Sequence, residues 1–262
     1  MLEYAIHCME HIHLKKHSWK LGCCVVVLLQ TMQTAWANVD TSGYQFSAYA
    51  GRQNQIINPG SYTLIGDETE QLVPYHARTS DFTWGIGTAY RFLTPNHQNI
   101  LRFTHDISLG LDVFYFQANQ SGSVLDYGEF SDFNYRSKVQ SLRFMGNVEW
   151  TFLPVFSKAI YPFLEGGAGL ASNTNYYSDA PNATSSFGVG NTFSRHNIDQ
   201  FAYDLGAGIK WTPTENIEVS LRYLYSSLGW VRSGNSASLP VSSGYSYRLN
   251  TQSLLLGLSY LK

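Results

Sequence analysis

Nine charged residues alternate with apolar residues along the chain. Charged side chains of this kind are the first candidates for a chemical role. The nine residues are Arg91, Asp112, Arg143, Glu149, Glu165, Asp204, Lys210, Glu218 and Arg222. Five acids and four bases can neutralise one another if they are enclosed together, because an isolated buried ion is costly. The pattern predicts a network of ion pairs in a polar interior. It leaves two functions open: a filled polar core, or a gated ion path of low conductance.

Catalytic groups are harder to find. The histidines outside the first 37 residues are scattered over predicted loops and turns: His76, His97, His105 and His196. The segment Gly166-Gly167-Ala168-Gly169 lacks the lysine and the following helix of a phosphate-binding loop. We therefore expect no enzymatic activity, no cofactor and no metal site.

Composition excludes two broad classes of protein. The 262 residues contain 17 Lys+Arg and 19 Asp+Glu, a net charge of -2, which gives no general attraction to nucleic acid. Beyond the first 37 residues no apolar run approaches the ~20 residues that a transmembrane helix needs. Abundant Tyr, Phe and Gly beside few charges favour aromatic strands joined by turns.

The N-terminus has the features of a secretory signal peptide. Three lysines precede an apolar stretch, Leu21 to Leu29, and Ala35-Trp36-Ala37 matches a small-x-small cleavage signal. We expect residues 1–37 to be removed and residues 38–262 to form the folded domain. All three cysteines, at positions 8, 23 and 24, lie in the segment to be removed, so thiolate metal sites and disulfides are not expected. A retained membrane anchor is the weaker alternative, because the apolar stretch is short.

Apolar residues then alternate with polar or small ones at period two, which is typical of strands. The pattern predicts eight strands, near residues 44–51, 81–92, 107–116, 141–152, 160–171, 200–211, 217–226 and 253–260. The connections between them alternate in length. Residues 52–80, 118–134, 172–198 and 227–244 form four long polar connections, and residues 93–99, 153–159 and 212–216 form short ones.

Long connections at one end and short turns at the other are typical of an outer-membrane barrel. The sequence therefore predicts an all-β fold, an eight-stranded antiparallel up-and-down transmembrane β-barrel, with its apolar face toward lipid. Aromatic residues at the ends of the apolar faces predict two interfacial girdles, with these members: Phe92, Trp150, Phe152, Trp211, Tyr223, Tyr225 and Tyr260. Glycines crowd the opposite face, which suits a narrow lumen.

Two segments carry a family resemblance. The C-terminal segment, residues 252–262, resembles the assembly signal of Gram-negative outer-membrane barrels, through Leu254, Leu256, Gly257, Leu258 and Tyr260. The segment Tyr161-Pro162-Phe163-Leu164-Glu165-Gly166-Gly167-Ala168-Gly169 resembles the fifth strand of opacity-type surface antigens and related small barrels of the OmpA and OmpX kind. The chain departs from the family in ending with Lys262 where an aromatic residue is usual.

The resemblance implies an outer-membrane location, and contact with lipid, lipopolysaccharide and the barrel-assembly machinery. It also implies surface contact or adhesion to a host or matrix ligand. Aromatic residues in the predicted long loops are the candidates for that contact: Tyr75, Tyr127, Phe130, Phe133, Tyr176, Tyr177, Phe187, Phe193 and Trp230. The alternatives are a structural barrel, a narrow channel and, less favoured, a lipid-A-modifying barrel enzyme.

Overall fold

The computed structural model describes most of the chain beyond the N-terminal segment. It covers residues 43–56, 60–64, 69–76, 78–93, 103–126, 130–154, 160–182, 190–237 and 241–262. The predicted signal peptide, residues 1–37, lies outside these described residues, as does His97.

Every regular element in the described ranges is a strand. Eight are long: β1 (Gly43–Ile56), β4 (Arg78–Leu93), β5 (Thr104–Asp126), β6 (Phe130–Phe152), β7 (Ile160–Pro181), β8 (Thr192–Thr214), β9 (Ile217–Arg232) and β11 (Ser246–Leu261). Three are short: β2 (Ser61–Leu64), β3 (Thr69–Pro74) and β10 (Val241–Ser243). The described residues include no helix that is long and apolar enough to cross a membrane.

The eight long strands close into a ring. Each long strand pairs antiparallel with the next long strand in the chain. The last, β11, pairs with the first from Leu261 opposite Gln45 to Asn250 opposite Ile56. Closure satisfies the backbone groups that an open edge would leave unpaired. The predicted eight-stranded up-and-down barrel is confirmed.

The three short strands continue the wall of the barrel beyond the long ones. Asn250 lies opposite Ile56, and Ser243 lies opposite Thr63, seven residues further along both strands, so β10 and β2 extend the pairing of β11 with β1. In the same way β3 extends β4, because both pair with β5, β4 up to Phe116 and β3 from Gly122 onward. The wall therefore rises well past the predicted strand ends.

The prediction of four long loops is wrong for many of the residues that it covered, because they form strands. Residues 118–134 are mostly strand, because β5 continues to Asp126 and β6 begins at Phe130. Residues 172–181 likewise continue β7, and residues 192–198 begin β8. The reason is physical: above the membrane the outer face meets water, so these strands need no apolar outer face, and their polar sequence is typical of loops as well.

Side chains alternate between the two faces of the wall, apart from local register shifts such as the one on β9 near Leu228. On β11, Leu256 is 60% exposed on the outer surface, and its neighbour Leu255 is fully buried in the lumen. We call the exposed apolar belt that runs around the outer face the lipid band; on β11 it extends from Leu254 to Tyr260.

Candidate functional site

The part of the lumen that lies inside the lipid band holds a cluster of paired charges. Lys210 Nζ contacts a carboxylate oxygen of Glu149 and lies 3.7 Å from Glu218 Oε1 and 4.0 Å from Asp106 Oδ1. Arg91 Nη2 lies 2.5 Å from Glu218 Oε2, and Arg91 Nε lies 3.6 Å from Asp106 Oδ1. The two bases are thus shared among three acids: Asp106 and Glu218 each lie near both bases, and Glu149 lies near Lys210.

Arg222 links this cluster to the middle of the lumen. Its Nη1 donates to Glu165 Oε2 at 2.7 Å, and its Nη2 lies 3.5 Å from Glu149 Oε2. The guanidinium also lies 4.3 Å from the ring centroid of Tyr49. A buried cation held by two carboxylates and a ring face has the partners that make its burial tolerable.

Arg143 lies at the end of this cluster of paired charges, next to Leu142, where the lipid band ends on β6. Its side chain is 1% exposed; Nη1 donates to Asp204 Oδ1 at 3.4 Å and to Ser226 Oγ, and its guanidinium lies 4.5 Å from the ring centroid of Phe114. Asp112 accepts a hydrogen bond from Asn147 Nδ2. We call the ten lumen residues Arg91, Asp106, Asp112, Arg143, Glu149, Glu165, Asp204, Lys210, Glu218 and Arg222 the ionic layer.

Inward glycines make room for the ionic layer. A Cβ atom added at Gly87 would lie 1.8 Å from Asp112 Oδ1, and one added at Gly206 would lie 2.6 Å from Glu165 Oε1. Both positions lie on the inner face directly beside a carboxylate, so even alanine would displace it. Bulk at these positions would therefore disturb the ion pairs as well as the wall.

The structure places all nine charged residues named from the sequence on the inner face, and brings eight of them into ion pairs within 4 Å. Sequence reasoning missed Asp106 and placed His105 outside the predicted strands, although both lie on β5, with Asp106 Oδ2 and His105 Nδ1 2.8 Å apart. Asp106 was detectable, because it alternates in phase with Ser108 and Asp112. The strand was predicted to begin at residue 107, whereas β5 begins three residues earlier, at Thr104.

Aromatic rings fill the lumen above Arg143. Tyr177, which is 2% exposed, has its ring centroid 5.2 Å from that of Tyr245, 5.3 Å from Phe193, 5.8 Å from Tyr135 and 6.1 Å from Tyr62. We call these five residues, together with Tyr247, the aromatic cluster. They belong to a larger buried apolar core that draws on several strands of the wall. No such core was predicted.

A buried group of polar side chains links β2 and β3 to β7. The Tyr62 hydroxyl contacts a Glu70 carboxylate oxygen and lies 3.0 Å from Asp179 Oδ2. Asp179 also accepts hydrogen bonds from the Tyr177 hydroxyl at 3.0 Å and from the backbone N–H of Asn191. Burial raises the pKa of the Asp179 carboxyl above its ordinary value, although these hydrogen bonds act in the opposite direction.

The girdle residues lie on the outer surface. Four are largely exposed there: Trp150, Trp211, Tyr223 and Tyr260. Phe92, Phe152 and Tyr225 are half-buried. The C-terminal residues Leu254, Leu256 and Leu258 also face outward, and Gly257 faces inward against Tyr49 and Ser220.

The aromatic residues expected in exposed loops differ widely in burial. Tyr177 and Phe193 are buried in the aromatic cluster, so the prediction that they form an exposed contact site is wrong. Tyr75 and Trp230 are exposed, and Phe133 and Tyr176 are half-buried. Tyr127, Phe187 and the side chain of Phe130 lie outside the described residues.

A closed ring with ion pairs inside and an apolar band outside defines the class of the protein. Water-soluble barrels put their charges on the outer face, and charges in the lipid band would cost roughly 2–4 kcal/mol for each Arg or Lys. Only a bilayer covers an uninterrupted apolar belt on a closed wall. The chain is therefore an outer-membrane β-barrel protein, and its outer face contacts membrane lipid.

No protein-family model matches the chain. It is 26% identical over 170 residues to the outer membrane protein PagN of Salmonella typhimurium strain LT2, a match that covers 62% of this chain and 66% of that protein. The match thus spans just under two thirds of the length of that relative.

Three solved structures of small barrels are similar at low identity. Neisserial surface protein A is 13% identical with a TM-score of 0.37, covering 84% of this chain and 99% of its own. The attachment invasion locus protein Ail of Yersinia pestis, solved with the heparin analogue sucrose octasulfate, is 12% identical with a TM-score of 0.36, covering 85% and 100%. OprG of Pseudomonas aeruginosa is 10% identical with a TM-score of 0.39, covering 83% and 95%.

Proposed function

We propose that the protein is a surface-contact protein of the outer membrane, an adhesin whose binding surface is the part of the barrel beyond the lipid band. The observation that supports this most directly is the length of the wall. On β6 the band reaches Leu142, and the strand continues for twelve residues, back to Phe130. At about 3.3 Å per residue that is on the order of 40 Å of strand.

A filled lumen supports contact rather than transport. Arg143 and the aromatic cluster occupy the interior in succession, and small barrels of this size are generally packed with side chains. In the described ranges no group of three His, Cys, Asp or Glu side chains has the arrangement of a metal site. We propose that the protein works without catalysis or cofactor.

Targeting completes the proposal. Residues 1–37 act as a cleaved signal peptide, and the outward row Leu254, Leu256, Leu258 and Tyr260, with Gly257, serves as the recognition strand for the barrel-assembly machinery. A host or matrix surface supplies the ligand.

We call the part of the barrel beyond the lipid band the extension. The adhesin proposal is tested by shortening the extension while keeping the barrel within the membrane. Ser121 pairs with Arg136, so residues 122–135 can be replaced by Asn-Gly, which favours a two-residue hairpin turn. We expect bacteria with the trimmed protein, at equal surface level, to attach poorly to epithelial cells and matrix-coated wells. Full attachment by the trimmed strain would leave a structural role as the better account.

A narrow ion path, the second function that the charged residues suggested, has its own test. In planar bilayers the filled lumen predicts no steady conductance for the parent protein. Opening by Arg143→Ala would support a gate at this residue, whereas an unchanged record would count against one.

A further inference from the structure

Beyond the surface contact proposed above, the outer wall carries a second feature, a group of cations and one aromatic ring on the three neighbouring strands β6, β7 and β8. Arg136 and Lys138 lie on the outer face of β6, and Arg195 lies exposed on β8. Between them, on β7, is Tyr176, whose ring centroid is 5.5 Å from Arg195 Cζ. We call these four residues the basic wall patch.

Strand pairing places the members of the patch side by side. Lys138 lies directly opposite Tyr176 on one side and Asn119 on the other, and Arg136 lies opposite Ser178 and Ser121. Directly paired residues on one face have Cβ atoms about 4.5–5.5 Å apart, and residues two apart on one strand are about 7 Å apart. The surface at these residues forms an open depression of about 600 Å³, whose lining also includes Thr192 and, from the inner face, Gln120, Ser137, Tyr177 and Phe193. Arg195 adjoins the depression through its contact with the Tyr176 ring.

The residue types in the depression match an anionic sugar. Guanidinium and ammonium groups bind phosphate by charge-assisted hydrogen bonds, and Ser, Thr and Asn side chains offer hydrogen bonds to sugar hydroxyls. The Tyr176 ring supplies the apolar face on which a sugar ring packs. Two carboxylates border the patch without entering it: Asp199 lies four residues from Arg195 toward the lipid band, and Asp81 accepts from the backbone N–H of Asn119.

Height above the membrane decides between ligands of this chemistry. Lys138 and Arg136 lie four and six residues beyond Leu142, which is ~13 and ~20 Å along the strand, or ~10 and ~15 Å vertically for a strand tilted by about 40°. The headgroup region on one side of a bilayer is only about 5–8 Å thick. A ligand anchored in the membrane must therefore rise past the headgroups to reach the patch.

We propose that the basic wall patch binds the phosphorylated core sugars of a neighbouring outer-leaflet glycolipid, lipopolysaccharide. The patch faces sideways on the same outer face as the lipid band, so the glycolipids packed around the barrel reach it without leaving the membrane. Contact with them anchors the extracellular extension at the level of the core sugars.

The test removes the three charges while keeping the wall. The variant R136Q/K138Q/R195Q is compared with R248Q, a control that removes one exposed cation outside the patch, on β11, where Arg248 lies over the Trp230 ring. Both are refolded in detergent micelles and checked for the slower migration of boiled protein on a gel. Binding is measured with rough-type lipopolysaccharide that has a phosphorylated core.

We expect the triple variant to bind phosphorylated lipopolysaccharide about tenfold more weakly than the parent, and R248Q to bind like the parent. With a glycolipid of lipid A bearing only its first core sugars, and with inorganic phosphate, parent and triple variant should bind alike.

Equal binding of phosphorylated lipopolysaccharide by parent and triple variant would overturn the proposal. So would an equal loss in R248Q, which would show nonspecific charge attraction, or an equal loss with the truncated glycolipid, which would assign the effect to lipid A phosphates. Intact lipopolysaccharide binding together with lost cell attachment would assign the patch to a host ligand instead. Lipopolysaccharide binding is measured with purified components and attachment with whole bacteria. The patch proposal can therefore fail while the adhesin proposal stands, and the adhesin proposal can fail while the patch proposal stands.

Discussion

The two halves of the lumen are filled with opposite kinds of side chain. Within the lipid band the interior is the ionic layer, and beyond the band it is mainly the aromatic cluster, whose Tyr62 and Tyr177 hydroxyls bond the buried Glu70 and Asp179 carboxyls. The wall is continuous between them. What changes is the surroundings of the outer face: where lipid covers it, apolar residues face out and charges pair inside, and where water covers it, apolar residues move inside.

This exchange of faces is visible along single strands. On β11 the apolar residues face outward at Leu254 and Leu256 and inward at Tyr247 and Leu249. On β6 they face outward at Leu142 and inward at Val139. The change of phase marks the outer boundary of the membrane. It also predicts that the two halves respond differently to substitution.

The largest effect is expected from breaking the ionic layer. Arg222→Met leaves Glu165 and Glu149 without their shared cation, and removing one partner of a buried ion pair costs about 3–5 kcal/mol. Urea unfolding of the barrel in lipid vesicles should show a loss of that size. The double variant Arg222→Met with Glu165→Gln should recover part of it, and Arg248→Met on the outer wall should change little. A loss below about 1 kcal/mol in the single variant would mean that these charges are not held in a dry lumen.

The aromatic cluster should give the next largest effect, confined to the extension. Tyr177→Ala removes a ring packed on four others, a truncation worth about 3–5 kcal/mol in a packed core. We expect faster proteolysis of β6 and β7 above the band on intact cells, with the membrane barrel still resistant to unfolding by detergent. The neighbouring Tyr176→Ala, on the outer face, is the matched control. Equal sensitivity in both variants would contradict an inward core.

The smallest effect concerns pH in the extension. The folded pKa of Asp179 is raised, so the folded state holds its proton to higher pH than the unfolded state does. Its contribution therefore favours folding most below the ordinary Asp pKa of about 4, and declines as pH rises through the folded value. Thermal melting of the extension between pH 4 and 8 should show a shallower decline in Asp179→Asn. The facing groups Glu70, Tyr62 and Tyr177 are unchanged in that comparison. An unaltered slope would contradict the assignment of this pH dependence to Asp179.

The sequence predicted the membrane half of the fold well and the extracellular half poorly. Alternation with an uncharged outer face, as in Phe144 beside Arg143, is a strong signal because lipid tolerates no charge there. Beyond the band the constraint disappears, and segments such as residues 118–126 have the polar composition of loops. The burial of Tyr177 and Phe193 depends on packing against Tyr62 and Tyr245 from other strands, which a single sequence does not display.

The candidate site divides in the same way. The alternation of residues at period two predicts which residues lie on the inner face. It does not predict which of them form ion pairs with each other. Arg91 pairs with Glu218, 127 residues away, because closure of the ring brings their strands to opposite sides of a narrow lumen. Lys210 reaches three acids for the same reason. The identity of each pair needs the register of the whole barrel.

The orientation of the wall can be tested most directly at two positions on one face of β11. Residues 38–262 contain no cysteine, so Leu256→Cys and Arg248→Cys in that segment each carry a single nitroxide label. Both side chains face outward, eight residues apart. In bilayers the label at 256 should be relaxed by oxygen and shielded from a water-soluble nickel chelate, and the label at 248 should show the reverse. A label at 256 that is freely accessible to the chelate would contradict the assignment of the apolar face to lipid, and with it the account of both halves of the lumen.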